Sequence, residues 1–115
     1  MIKRITNGQV KQIAQIVNER FELVNYGSHY KVIDRKTNKT SHDSRSLVSY
    51  NMDCLIEREY LRFIDGDTLY LDWHTSGVEA SNARKNYIYL IKYKVVEILC
   101  GFKLSNFEDM RKSLV

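Results

Sequence analysis

Apolar residues recur at helical spacing near both ends of this chain and at strand spacing through its middle, and this change of period constrains the fold more than any other feature. The first pattern holds Val10, Ala14, Val17 and Phe21, joined by Ile13, against a polar side of Lys11, Gln12, Gln15, Asn18, Glu19 and Glu22. It predicts an amphipathic helix whose start Thr6 or Asn7 caps and whose end lies near Arg20 to Phe21. Phe21-Glu22-Leu23-Val24 already alternates as a strand does, Asn25-Tyr26-Gly27-Ser28 is rich in turn formers, and Tyr30-Lys31-Val32-Ile33-Asp34 can return, so a hairpin is expected there. A polar turn, Arg35 to Thr40, follows.

The middle of the chain alternates most clearly. Val48, Tyr50, Met52, Cys54 and Ile56 are separated by mostly polar neighbours, as in a half-buried strand. The alternative is a helix on Val48, Met52, Leu55 and Ile56, which takes Tyr50 and Cys54 off the stripe. Tyr60 to Ile64 and Thr68 to Trp73 flank Asp65-Gly66-Asp67, a hairpin signature because Gly66 can adopt a positive φ. Trp73 is expected as a core anchor between sheet and helix. Beyond Gly77, Ala83, Tyr87, Ile91, Val95 and Ile98, joined by Ile88 and Leu99, line one stripe of a helix of about 20 residues that Gly101 ends. Ser105-Asn106-Phe107-Glu108 fits a capping box, so a short last helix is expected over 106–114. The fold class is therefore α+β: an antiparallel sheet of four to five strands with an N-terminal helix and two C-terminal helices packed on it.

At 115 residues, 43% hydrophobic and 28% charged, the chain reads as a single domain, 1–115, with one core. No apolar run approaches the ~20 residues of a membrane span, and Met1-Ile2-Lys3-Arg4-Ile5 lacks the apolar stretch of a signal peptide, so a cytoplasmic protein is expected. Cys54 and Cys100 are too few for a disulfide framework and read as buried, reduced groups. The formal charge of +4 is uneven: residues 1–46 carry a net +5, residues 47–75 a net −4 and residues 76–115 a net +3. Asp53, Glu57, Glu59, Asp65, Asp67 and Asp72 thus form an acidic island, of which Glu57, Glu59, Asp65 and Asp67 would suit a basic protein partner, while solvated strand faces and turns account for the same residues more simply.

The candidate functional residues are basic and aromatic. Lys85, Tyr89, Lys92 and Tyr93, with Asn86, share the side of the long helix away from Ile91 and Val95. Lysine offers a charge for phosphate and tyrosine a flat face for a base or a protein side chain. A second basic cluster, Lys36, Lys39 and Arg45 with Arg35, lies in the loop before the middle segment, where Lys3 and Arg4 could widen it. Catalysis has less support. His42-Asp43-Ser44 and Asp72-Trp73-His74 place imidazoles beside carboxylates, which would suit a metal-dependent hydrolase using His42, Asp72 and His74. Neighbours in sequence seldom converge on one reacting atom, however, and no recognised catalytic or nucleotide-binding motif is present. No enzyme activity, cofactor or metal is expected.

Ser49-Tyr50-Asn51, followed by Leu69-Tyr70-Leu71 and by Thr75-Ser76 before a helix, resembles small early proteins of phages infecting Gram-positive bacteria. The likeness covers about residues 47–90, and it departs from the pattern where no His follows Thr75-Ser76 at the helix start. The resemblance implies a phage or prophage origin in a host cytoplasm. By analogy it implies an anti-CRISPR-like inhibitor docking on a host nuclease or nucleoprotein complex such as a CRISPR effector. The alternative is a stand-alone accessory protein binding DNA or RNA through its Lys/Tyr helix face.

Overall fold

The first helix, α1, spans Asn7–Arg20. In the computed structural model, which describes residues 4–41, 47–64 and 78–103, its start is closed by a reciprocal capping box. Gln9 N–H donates to Thr6 Oγ1 and Thr6 N–H to Gln9 Oε1, at 3.1 and 2.8 Å. These bonds satisfy two amides near the helix start. Val10, Ile13, Ala14 and Val17 are buried, as the stripe requires. The chain then turns directly into β1 (Phe21–Asn25), which pairs antiparallel with β2 (Tyr30–Asp34) in the register Phe21 opposite Asp34. Both ends of the helix and the hairpin agree with the sequence pattern.

The middle of the chain does not. Residues Leu47–Phe63 form a helix, α2, and the sheet has two strands, not four or five, among the described residues. The fold remains a mixture of α and β, with three helices and one hairpin among the described residues. Packing decides between the two periods. In α2 the positions Val48, Met52, Ile56 and Tyr60 fall four apart on one buried line, ending at buried Ile64. Tyr50 and Cys54, which a strand would have carried inward with them, are exposed. The same reversal overturns the expectation that Cys54 is buried. The segment has neither Gly nor Pro and is rich in Leu, Met, Glu and Arg, all favourable helix residues. Tyr60 to Phe63, expected as the first arm of a second hairpin, also belong to α2. Asp65 to Trp73 and the expected last helix over 106–114 lie outside the described residues.

The third helix, α3, spans Val78–Cys100 and ends where Gly101 adopts φ +75°, its N–H bonded to Glu97 O. A side chain is disfavoured in that left-handed conformation, which is why glycine ends the helix. Tyr87, Ile91 and Val95 are buried as expected, but Ile98 is exposed. No helix among the described residues is long and apolar enough to cross a membrane.

The three helices pack on one another, and the inner side of the hairpin, Phe21, Leu23 and Val32, closes the core over them. The far edge of β2 is already occupied. Ser41 N–H donates to Val32 O, Val32 N–H to Ser41 Oγ, and Asp34 N–H to Lys39 O, so the edge bonds that a third strand would use are satisfied locally. A buried carboxylate ties this corner together. Asp34 accepts from Arg20 Nε and Nη2 at 3.4 and 3.1 Å and from Lys36 N–H at 2.9 Å. The hydrogen bonds from Arg20, with further help from Lys36 N–H, hold its carboxyl below the usual range against the opposing effect of burial.

Two outcomes follow. Ile56→Ala should cost about 2–5 kcal/mol in urea unfolding, whereas Tyr50→Ala should cost less than about 0.5. The two positions are equivalent in a strand but opposed in α2, so comparable losses would restore the strand. Asp34 titrates lower when folded than when unfolded, so its contribution is present above the unfolded value, about 3.9, and lost as pH falls through the folded value. Asp34→Asn should therefore lower stability at pH 7, and its deficit should shrink as chemical denaturation is repeated at progressively lower pH below about 4.

Candidate functional site

Four elements meet at a cluster of tyrosines around one ion pair. Lys92, near the middle of α3, reaches Asp53 of α2, with Nζ 2.9 Å from Oδ1. The lysine side chain keeps only 11% of its exposure, while Asp53 keeps 38%. Tyr30, at the start of β2, lies close enough to the Lys92 ammonium to feel its charge, and Tyr93 is half-buried beside it. The exposed ring of Tyr89 lies with its centroid 5.8 Å from Lys92 Nζ, within cation–π range. Phe102, just past α3, packs on Tyr30 at 5.3 Å between centroids. Asn25 on β1 donates to Cys100 O, which holds the hairpin to the end of α3. At the hairpin tip, exposed Tyr26 stacks on His29 at 5.2 Å, and Ser28 Oγ is 2.9 Å from His29 Nδ1.

The electrostatics of the cluster are those of a closed pair. Burial alone would lower the Lys92 ammonium, but Tyr30 and Asp53 outweigh it, and the group sits above its ordinary value. It is therefore charged at neutral pH. Burial is the main cause that raises the Tyr30 phenol, opposed by the adjacent ammonium. Neither group is poised to exchange a proton near pH 7, so the arrangement suits recognition better than acid–base chemistry. Among the described residues, no group of three His, Cys, Asp or Glu side chains could hold a metal ion.

The residues singled out from sequence divide sharply. Lys85, Tyr89, Lys92 and Tyr93 do share one side of α3, and Lys85 and Tyr89 are exposed. Lys92, however, does not project outward. Once residues 47–63 are helical, Asp53 faces the α2–α3 groove and draws the ammonium in. Lys36 and Lys39 are exposed on the turn after β2, at the opposite end of that strand from Tyr30, about 14 Å away at the usual rise. Arg35 is engaged with Asn18 O and Glu22, and Arg45 lies outside the described residues.

Of the expected acidic face, only Glu57 and Glu59 lie among the described residues, and they do not share a side. Glu57 and Glu59 would point the same way in a strand, but two helical residues apart they diverge by about 200°. Glu57 is exposed, while Glu59 is buried and held by Arg62 Nη1 at 2.9 Å, with Arg58 Nε at 3.8 Å. Asp65 and Asp67, and the triad candidates His42, Asp72 and His74, lie outside the described residues, as does Trp73. Arg84 is buried near Tyr60 and Tyr87, whose rings meet edge to face at 5.6 Å; Tyr87 Oη accepts from Ile5 N–H. Asp53 and Tyr30 were missed as members of the site. Their signal is visible only in helical register, where Asp53 falls beside the line of Met52 and Ile56.

Asp53→Asn should lower the urea midpoint by leaving a nearly buried ammonium without its counter-charge, and Lys92→Met added to it should recover much of that loss. A double-mutant cycle should read a coupling of about 1–3 kcal/mol; strict additivity would show that the pair contributes nothing. Compared with known proteins, the chain matches no family model, no curated protein and no solved structure.

Proposed function

We propose that the chain is a non-enzymatic binding protein that docks on a protein partner through the tyrosine-rimmed surface of α3 and the hairpin. The observation that supports this reading is the internal neutralisation of Lys92 by Asp53 beneath Tyr89, Tyr93 and Tyr30. The ion pair fixes the aromatic side chains at little charge, and tyrosine is enriched where interfaces concentrate their energy because it presents a large, stiff, amphipathic area. The class of partner carried by the phage resemblance is a host nuclease or nucleoprotein complex in a bacterial cytoplasm. Direct nucleic-acid binding is the weaker reading. It needed both lysines of the α3 face for phosphates, and one of them is spent on Asp53.

The test uses the full chain as bait in a lysate of its source, with nucleic-acid binding measured in parallel. A partner captured by the wild type should bind the Tyr89→Ala variant roughly thirty-fold more weakly, about 2 kcal/mol, while Lys11→Ala on the far side of α1 should leave it unchanged. Equal capture by both variants would discard this surface. Tight binding to plain DNA or RNA, with a log–log salt slope steeper than about −3, would put the nucleic-acid reading in its place.

A further inference from the structure

Outside that surface, α2 carries a second line of side chains, most of them exposed. Leu47 and Tyr50 are 66% and 63% exposed, Cys54, Glu57 and Arg58 are exposed, and Leu61 is half-buried at the edge of the core. Leu47, Tyr50, Cys54 and Leu61 keep the alternating three- and four-residue spacing of a helix seam, broken only at Glu57. The line is also symmetric about Cys54. Leucines stand seven residues to either side, at 47 and 61, and an aromatic and a guanidinium stand four to either side, at 50 and 58.

We propose that this face of α2 pairs with the same face of a second copy of the chain, antiparallel, across a two-fold axis at Cys54. In that arrangement Leu47 meets the copy's Leu61, and Arg58 lies over the copy's Tyr50 ring, a cation–π contact repeated twice. The charges select the direction. A parallel pair would set Glu57 against Glu57 and Arg58 against Arg58, with the helix dipoles side by side. The antiparallel pair moves the like charges about 9 Å and about 12 Å apart along the axis and opposes the dipoles. The same symmetry makes each half of the line complementary to the other half, Leu47 facing Leu61 and Tyr50 facing Arg58. Tyr50 and Cys54, one turn apart and both exposed, form the centre of the face.

The axis makes a geometric prediction. With helix axes about 8–10 Å apart and Cα atoms about 2.3 Å from each axis, facing Cα atoms at Cys54 come within roughly 3.5–5.5 Å. The wider part of that range overlaps the span of a disulfide. Two copies of residue 47 would be about 21 Å apart along the axis. All variants are made in a Cys100→Ser background, and circular dichroism confirms that each is folded. Diamide, which takes up the two electrons and two protons released when two thiols join, should cross-link Cys54 at least tenfold faster than a cysteine placed off the line by Lys85→Cys with Cys54→Ser. With Cys54→Ser throughout, Leu47→Cys and Leu61→Cys should each cross-link slowly alone and rapidly when mixed. Sedimentation of the Cys54→Ser chain should show concentration-dependent dimerisation that Tyr50→Glu abolishes. Equal rates at residues 54 and 85, rapid self-linking of Leu47→Cys, or a monomer at every concentration would each overturn the pairing.

Discussion

The burial of Val48, Met52, Ile56 and Tyr60 against α1 and α3 is the constraint on which the rest of the molecule depends. Each of these side chains loses essentially all contact with water, and burial of such groups is worth about 1.5–3 kcal/mol apiece before cavity terms are counted. A strand through the same residues would have buried Tyr50 and Cys54 alongside three of them and left Tyr60 to a separate element. It would also have needed a sheet edge to join. The β2 edge is closed by Ser41 and Lys39, so the hairpin offered no place on that side for a third strand.

Once α2 is helical, its charges are sorted by angle rather than by parity. Asp53 falls toward α3 and neutralises Lys92, Glu59 falls inward and gathers Arg62, and Glu57 is left outside with Arg58. Among the described acids of this segment, Asp53 and Glu59 are held by cations and Glu57 is exposed, so the net negative charge of the sequence is not gathered on one side of α2. The same sorting turns the Lys/Tyr side of α3 from a cationic strip into an aromatic one. Recognition of a protein surface follows more naturally from that composition than recognition of phosphates.

The hairpin contributes more than its two strands suggest. It supplies Tyr30 to the cluster on α3 and is tied at one end to Cys100 O through Asn25 and at the other to α1 through Arg20 and Asp34. Both ties use charge-assisted or side-chain-to-backbone bonds rather than apolar packing. Together with the burial of Phe21, Leu23 and Val32 they set the position of Tyr30 on a sheet of only two strands.

How much of this was legible in the sequence depends on where the deciding forces lie. The capping box of Thr6 and Gln9, the stripe of α1, the turn into β1, the hairpin and the glycine that ends α3 are local: their hydrogen bonds and backbone angles involve residues within a few positions of one another. Residues 47–63 fit both periods, because Val48, Met52 and Ile56 belong to either pattern, and only the groove between α1 and α3 chose between them. Local chemistry determined α1, the hairpin and the stop of α3 by itself. The middle, and with it the pairing of Lys92 with Asp53, was decided by contacts between residues about forty positions apart, which no window of neighbouring residues contains.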